Sequence, residues 1–332
     1  MNSLRQLLKL VAAASVLTTS FWSGALQAQT AAPTGAFPSR PLRFVVPFPP
    51  GSGTDTSARY FAKKLTDMTG QTVVVDNKPG ANGFIAVRAV QSAPADGYTV
   101  FIGSNSTLAV NAALFKSLPY DPVADFAPLT MMMRAASLLI VPGNSEYKTL
   151  SDLVAAAKAK PGQFNYGAGS AGYQLMAEAF NDATRIQAVH VPFKGASEVV
   201  SAVTAGTVQF AFAEMTSAQE MVKSGKLRAL AFASDRRSPT LPSVPTAAEA
   251  GVPGFTAYTW VAAMVPVKTP KAETEKLASL LTAIERLPET REFYERLGAE
   301  VMNGGPEEMR TFQNAEIKLW KRIATSAKVE LQ

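Results

Sequence analysis

LRFVVPFPPGSGTDTSARYFAKKLTDMT, residues Leu42 to Thr69, is the stretch on which the fold turns. Leu42–Phe48 is a short apolar run of the kind that forms a buried strand. From Thr54 to Thr69 the apolar residues Ala58, Phe61, Ala62 and Leu65 recur at helical spacing. Between them lies a loop rich in Pro, Gly, Ser and Thr. A strand feeding a helix through such a loop is the first half of a β-α-β unit.

The pattern repeats outward from this unit. Strands are expected at Thr72–Val75 and Thr99–Gly103, with a helix at Gly83–Ala93. After Pro119, Pro122 and Pro128, a long apolar run covers Leu129–Val141. The rhythm restarts with helices at Leu150–Lys160, Tyr173–Ala183, Ala196–Ala205 and Ser217–Lys223. Strands are expected near Phe164–Tyr166, Ala188–Val191, Val208–Ala213 and Leu227–Ala233. Such alternation predicts parallel sheets covered by helices on both faces. Residues Ser238–Gly254 form a proline-rich loop, and Ala257–Val265 is a second apolar run. Only helices are expected after it, at Ala272–Leu287, Glu289–Leu297 and Glu307–Ala324. One sheet holding every strand would be large, so two α/β lobes are expected, with the runs at 129–141 and 257–265 crossing between them. Chain length agrees: 332 residues at roughly 100–200 per domain suggest two domains.

The first 28 residues have the form of an export signal. Arg5 and Lys9 precede the apolar run Leu10–Leu17, which is too short to span a bilayer, and small residues follow at Ser23, Gly24, Ala25 and Ala28. Cleavage after Ala25 or Ala28 removes two positive charges and takes the formal +6 to +4. Lys and Arg are scattered and not interleaved with aromatics, so this charge reads as a mild attraction for anions, with no nucleic-acid partner.

Composition excludes several chemistries. With 47% hydrophobic and 17% charged residues, the chain is not of disordered type. It has no cysteine, so disulfides, thiolate metal sites and a Cys nucleophile are ruled out. His190 is the sole imidazole, which excludes multi-histidine metal centres. A Ser-His-Asp hydrolase would have to use that residue, and no G-x-S-x-G occurs. His190 within an alternating strand is otherwise an ordinary structural residue. Neither H-E-x-x-H nor a phosphate-binding G-x-x-x-x-G-K-[ST] is present.

Three loops at expected strand ends carry the anion-holding equipment. The first holds Phe48, Pro50, Gly51, Ser52, Gly53, Thr54 and Asp55. The second holds Gly103 with Ser104, Asn105, Ser106 and Thr107. The third holds Gly167, Gly169, Ser170, Ala171 and Gly172. A helix N-terminus offers unpaired N–H donors and the positive end of its dipole, so such a loop can hold a carboxylate without a cationic side chain. Ligands in open α/β sheets bind at the carboxyl ends of strands, where these loops fall. Each loop alone reads as ordinary turn and cap chemistry; three in one chain point to an anion site. Gly167, Gly169 and Gly172 also match G-x-G-x-x-G, but Val189–Lys194 lacks the acid that a dinucleotide ribose requires. Glu214, after the expected strand Val208–Ala213, is either an acid in the site or a solvated loop residue. Phe48, Tyr173 and Trp260 are either cleft walls or core, and Met131–Met133 reads as core or crossover filler.

Eight segments together carry a resemblance: Phe37–Asp55, Val74–Ala81, Ala95–Tyr98, Ser106–Ala109, Leu118–Pro122, Val189–Gly195, Gly225–Ala231 and Arg237–Gly251. From about residue 37 onward, the chain resembles the solute receptors of the tripartite tricarboxylate transporters, the Bordetella uptake gene family. The resemblance implies a type II-like periplasmic binding protein without enzymatic activity or cofactor. Its lobes would be residues 37–138 with 257–332, and residues 139–256, joined by two crossovers with the ligand cleft between them. It would act in the periplasm as a monomer, taking a small organic carboxylate to membrane transporter subunits. Presentation of the bound state to a membrane sensor is the alternative.

By the same resemblance the ligand would be held by the three loops, with Lys194, Gly195 and Ala196 as a fourth. Two departures bear on the ligand. Gln174 stands where the family often has histidine, in a loop about two residues shorter than usual. Ala213-Glu214 stands where Phe-Asp is common. The missing Asp implies a plain organic carboxylate, aliphatic or aromatic, with Tyr173 on one wall; Glu214 would serve as the substitute acid if the ligand were an amino acid.

Overall fold

The computed structural model describes residues 37–332, and the export signal lies outside them. Residues 40–332 form one compact unit containing two sheets. The first is built from β1 (Leu42–Val46), β2 (Val73–Asn77), β3 (Thr99–Ser104), β4 (Phe126–Ala136), β10 (Tyr258–Pro266) and β11 (Ala299–Val301), in the order β11-β4-β10-β3-β1-β2. The second holds β5 (Leu138–Pro142), β6 (Phe164–Ala168), β7 (Ala188–Pro192), β8 (Phe210–Ala213) and β9 (Leu227–Phe232), in the order β7-β6-β8-β5-β9.

Both sheets are mixed, which corrects the all-parallel expectation. β1 runs parallel to β2 and β3, and β6 parallel to β7 and β8. β4, β10 and β11 pair antiparallel, as does β5 with β8 and β9. The physical reason is connectivity. Strands joined by helical crossovers return in the same direction, whereas a strand that passes straight from one sheet to the other is free of that constraint. β4 runs into β5 through Ser137 alone, and the chain returns from β9 to β10 through residues 233–257. The two passages lie side by side. Ser137 N–H donates to Ala257 O (3.3 Å), Ala233 N–H to Ser137 O (2.8 Å), and Ala257 N–H to Ala233 O (2.8 Å).

The helices follow the apolar periodicity. α1 (Gly53–Thr69) buries Ala58, Phe61, Ala62 and Leu65, and stops at Gly70, whose φ of 71° suits a residue without a Cβ. α2 (Phe84–Gln91) and the short α3 (Asn111–Leu114) cover the first sheet, α3 continuing a π-helical turn at Ser106–Val110. The second sheet carries α4 (Leu150–Ala159), α5 (Ala171–Thr184), α6 (Ala196–Thr204) and α7 (Met215–Lys223). α4 begins with a reciprocal cap between Thr149 and Asp152.

The tail holds α8 (Lys271–Glu285), α9 (Pro288–Arg296) and α10 (Pro306–Ser326). α10 returns to the first sheet, where Met309 and Trp320 join the cluster around Phe101, Phe126 and Trp260. β11 corrects the expectation of helices only: three residues pairing at a sheet edge are too few to leave an alternating pattern.

Candidate functional site

The carboxyl ends of β1, β3, β6, β7 and β8 converge on one cavity. Of the residues singled out in the sequence, Phe48, Ser52, Thr54, Ser104, Asn105, Ser106, Gly169, Ser170, Tyr173, Gly195, Ala196 and Glu214 line it. The crossing strands supply the rest: Met133 from β4, and Thr259, Trp260 and Val261 from β10. Met133 lies on the crossing strand, as a crossover filler would, and also lines the cavity. Thr259 and Val261 were not singled out, although the signal was available, since strands that cross between lobes must pass beneath the space between them.

The remaining candidates surround the cavity without lining it. Pro50 and Gly51 are exposed at the loop tip. Asp55 is buried and structural: its carboxylate accepts from Gly51 N (2.9 Å), Arg59 Nε (3.0 Å) and Asn77 Nδ2 (2.8 Å). Burial alone would raise its pKa, but the Arg59, Gly51 and Asn77 donors outweigh burial and hold it below the ordinary range. Thr107 closes the β3 turn through Ser104, and Ala171 packs into the first core. Lys194 is exposed, and its N–H donates to Glu198 at 3.0 Å. His190 stacks on Tyr166 with ring centroids 5.3 Å apart and does not line the cavity, so the hydrolase reading finds no base there.

Loops from the two sheets touch across the cavity. Gly53 N donates to Glu214 Oε2 at 2.6 Å, Ser106 Oγ to Ser170 Oγ at 3.2 Å, and Gly172 N to Ser106 Oγ at 3.1 Å. The approach is close enough to require glycine at 172, where a Cβ would stand 2.8 Å from Ser106 Oγ and 2.9 Å from Asn105 Nδ2. The empty space amounts to about 450 Å³ with its open mouth, but only about 30 Å³ admits the centre of a water molecule.

Two donors in this wall are unspent. Asn105 Nδ2 and Tyr173 Oη are buried with no acceptor in hydrogen-bonding geometry among the described residues, although Glu214, Ser137 and Thr259 lie near the Tyr173 hydroxyl. An unsatisfied buried group costs about 1–3 kcal/mol, so each favours an incoming acceptor. Burial, with Glu214 nearby, holds the Tyr173 phenol well above its usual pKa, so it remains a neutral donor. The N-termini of α5 and α6 also open here, and neither carries a side-chain cap. Among the described residues, Glu214 is the one acid in the wall. Burial pushes its carboxyl upward, against the pull of the Gly53 amide and the Thr216 hydroxyl at 3.2 Å. Among the described residues, no cluster of three or more His, Cys, Asp or Glu residues could hold a metal ion. No described helix is long and apolar enough to cross a membrane.

Comparison with known proteins agrees with this arrangement. Residues 57–329 match the model of the tripartite tricarboxylate transporter family receptor. Protein BugT of Bordetella pertussis is 34% identical over 307 residues, which cover 91% of this chain and 94% of BugT. Among solved structures, R. palustris Rpa4515 with adipate superposes with a TM-score of 0.86 at 31% identity, covering 90% of this chain and 100% of that one. MatC from Rhodopseudomonas palustris with bound malate gives 0.81 at 29% identity, covering 86% and 99%. The two-sheet α/β architecture is that of periplasmic binding proteins such as BugD, which superposes with a TM-score of 0.83 at 29% identity, covering 89% of this chain and 100% of that one. The chain belongs to the receptor family of the tripartite tricarboxylate transporters, and as such is a solute receptor and not an enzyme.

Proposed function

We propose that the protein is an extracytoplasmic receptor that closes on a small organic carboxylate and delivers it to the membrane subunits of a tripartite transporter. Residues 37–138 with 257–332 form one lobe, and residues 139–256 the other. The protein acts as a monomer in the periplasm once its N-terminal signal is removed. The observation that carries the reading is the pair of buried, unpartnered donors, Asn105 Nδ2 and Tyr173 Oη, in a wall where two uncapped helices begin. Adipate in Rpa4515 and malate in MatC support a carboxylate as the class of ligand. Parting of the lobes for entry breaks the three seam hydrogen bonds.

Glu214 bears on selectivity. Gly53 and Thr216 both donate to its Oε2, and burial raises the carboxyl's pKa, which makes it a weak partner for an ammonium group. The preferred ligand is therefore a plain carboxylate and not an amino acid.

A thermal-shift panel of adipate, malate, citrate, aromatic carboxylates and amino acids tests this. A binder at a hundredfold excess over its Kd stabilises the fold by about 2.7 kcal/mol. Stabilisation by amino acids equal to that by carboxylates would overturn the selectivity, and no response to any carboxylate would overturn the receptor reading.

A further inference from the structure

A second depression shares no lining residue with the ligand cavity. Side chains alternate across a strand, and β4 divides its own between the two spaces: Met133 lines the cavity, Arg134 and Ala136 the depression. β10 does the same where it begins, with Tyr258 in the depression and Thr259 in the cavity. The strands that cross between the sheets are therefore a partition, with the closed cavity in front and an open groove behind. Water centres fit over about 520 Å³ of the groove, against about 30 Å³ of the cavity.

One wall of the groove comes from α9, β11 and Asn303 beside the first sheet, the other from Ser234 and residues 236–239, which follow β9 of the second. Two side-chain contacts reach across: Arg236 pairs with Glu300 on β11, and the Tyr258 hydroxyl donates to Asp235 at 2.8 Å. Charge is matched locally. Glu300 takes Arg134 as well as Arg236, Arg237 pairs with Glu249, and Asp235 lies beside Arg134 and Arg236, so the groove calls for no charged occupant. Front and rear respond oppositely to rotation about the crossings. In front, the seam bonds Gly53–Glu214, Ser106–Ser170 and Gly172–Ser106 are already made. Parting that seam swings the rear walls toward one another. The Arg236–Glu300 pair offers little resistance, because the Arg236 side chain is 70% exposed and ion pairs this exposed contribute little.

We propose that the rear groove is the clearance into which the receptor opens, so that its free width sets how readily the lobes part and how tightly ligand is held. This rests on the receptor reading, in which the lobes part for entry. Ligand selects the closed form, and the apparent affinity is reduced by the fraction of free receptor that is closed. A bulky side chain in the groove blocks opening, raises that fraction and tightens binding from a position that touches no ligand. General damage to the fold acts in the other direction, so the sign of the effect is diagnostic.

Asn303→Trp and Ala136→Trp test this by placing an indole in the groove, the first from an exposed position on the wall and the second from the floor. Lys321→Trp, exposed on α10 and lining neither space, is the control. Calorimetry with adipate reads affinity, and small-angle scattering of the ligand-free protein reads closure without any ligand. A free receptor closed about a tenth of the time gains at most about tenfold when opening is blocked. Each groove variant is therefore expected to bind adipate about three- to tenfold more tightly, with the control within about twofold of wild type. Both variants are also expected to be more compact than wild type when ligand-free. Unchanged or weakened adipate binding by Asn303→Trp with a normal melting temperature overturns the proposal, and so does a ligand-free wild type as compact as the variants. If Ala136→Trp does not fold, Asn303→Trp decides alone. Absence of adipate binding by the wild type counts against the receptor reading instead, and the scattering comparison then decides the role of the groove.

Discussion

Gly172→Ala separates lobe closure from folding. Gly172 is the second residue of α5, and its φ is not in the left-handed region, so alanine is compatible with its backbone. With the lobes parted, the substitution is expected to be neutral or to stabilise the helix by about 0.5–1 kcal/mol. With the lobes together, the new methyl would stand 2.8 Å from Ser106 Oγ and 2.9 Å from Asn105 Nδ2, inside van der Waals contact. Ser106 Oγ is held by Gly172 N and Ser170 Oγ, so moving it aside breaks contacts that join the two sides. Overpacking of this kind costs about 1–3 kcal/mol. Because that cost falls on the closed form alone, it appears as weaker ligand binding, about 5- to 150-fold in Kd. Calorimetry with adipate, or with whichever carboxylate stabilises the wild type most, reads the affinity. A thermal melt without ligand reads the fold. Ser106→Ala in the same chain removes the nearer obstacle, so the double variant is expected to lose less than the two single losses combined. An affinity within about twofold of wild type, or a lowered ligand-free melting temperature with unchanged affinity, would refute the reasoning.

Three further outcomes are expected. A bound carboxylate beside Glu214 further disfavours ionisation of a group already raised by burial, so binding takes up a proton. Affinity therefore rises as pH falls through the raised titration of Glu214, and Glu214→Gln flattens that dependence; an unchanged slope in titration calorimetry would count against it. Glu285 is 3% exposed behind Thr130, and burial pushes its carboxyl up to about 8, despite the Thr130 hydroxyl and Gly304 amide pulling it down. Between the unfolded value near 4.3 and about 8, the native state keeps a proton that the unfolded chain has lost. Stability thus falls as pH rises, by about 1.4 kcal/mol per unit and at most about 5 kcal/mol across the window. Glu285→Gln should lose much less between pH 5 and 8 in urea unfolding; identical slopes would disprove the assignment. Arg228 donates to the carbonyls of Gly143 (3.0 Å), Ser145 (3.1 Å) and Tyr147 (3.2 Å), so Arg228→Ala is expected to cost about 1–3 kcal/mol in denaturant unfolding. Lysine cannot reproduce the fork and is not expected to restore the midpoint.

Much of the fold was legible because its elements are local. The helix over Thr54–Thr69 appears as α1 within one residue, because Phe61 and Leu65 recur at the period of a helix and Gly70 ends it. The passages at 129–141 and 257–265 were legible as apolar runs. Their antiparallel direction was not, because periodicity carries no information on which way a neighbouring strand runs. β11 was invisible for a related reason: three residues form a strand only because β4 offers an edge. In the candidate site, Ser52, Ser104 and Ser170 were readable from strand-loop-helix spacing and Gly195 only from the family resemblance, and each lies at the cavity. Asp55 was read as a site residue from the same loop, yet its carboxylate faces Arg59 and Asn77 and holds the loop in shape.

By itself, then, the sequence determined two α/β units, the passages between them, and a chain without thiols that carries a single imidazole and many glycine-rich helix starts. These are properties of composition and of spacing within some twenty residues. Tertiary structure decided which donors are spent and which are free. Ser106 meets Gly172 and Ser170, and Gly53 meets Glu214 161 residues away, whereas Asn105 and Tyr173 meet no partner among the described residues. It also brought arginines from β4, α9 and the segment after β9 into one groove, although they are scattered in sequence. The reason is physical: a hydrogen bond or a charge cluster depends on distances of a few ångströms between groups far apart along the chain, and only packing sets those distances.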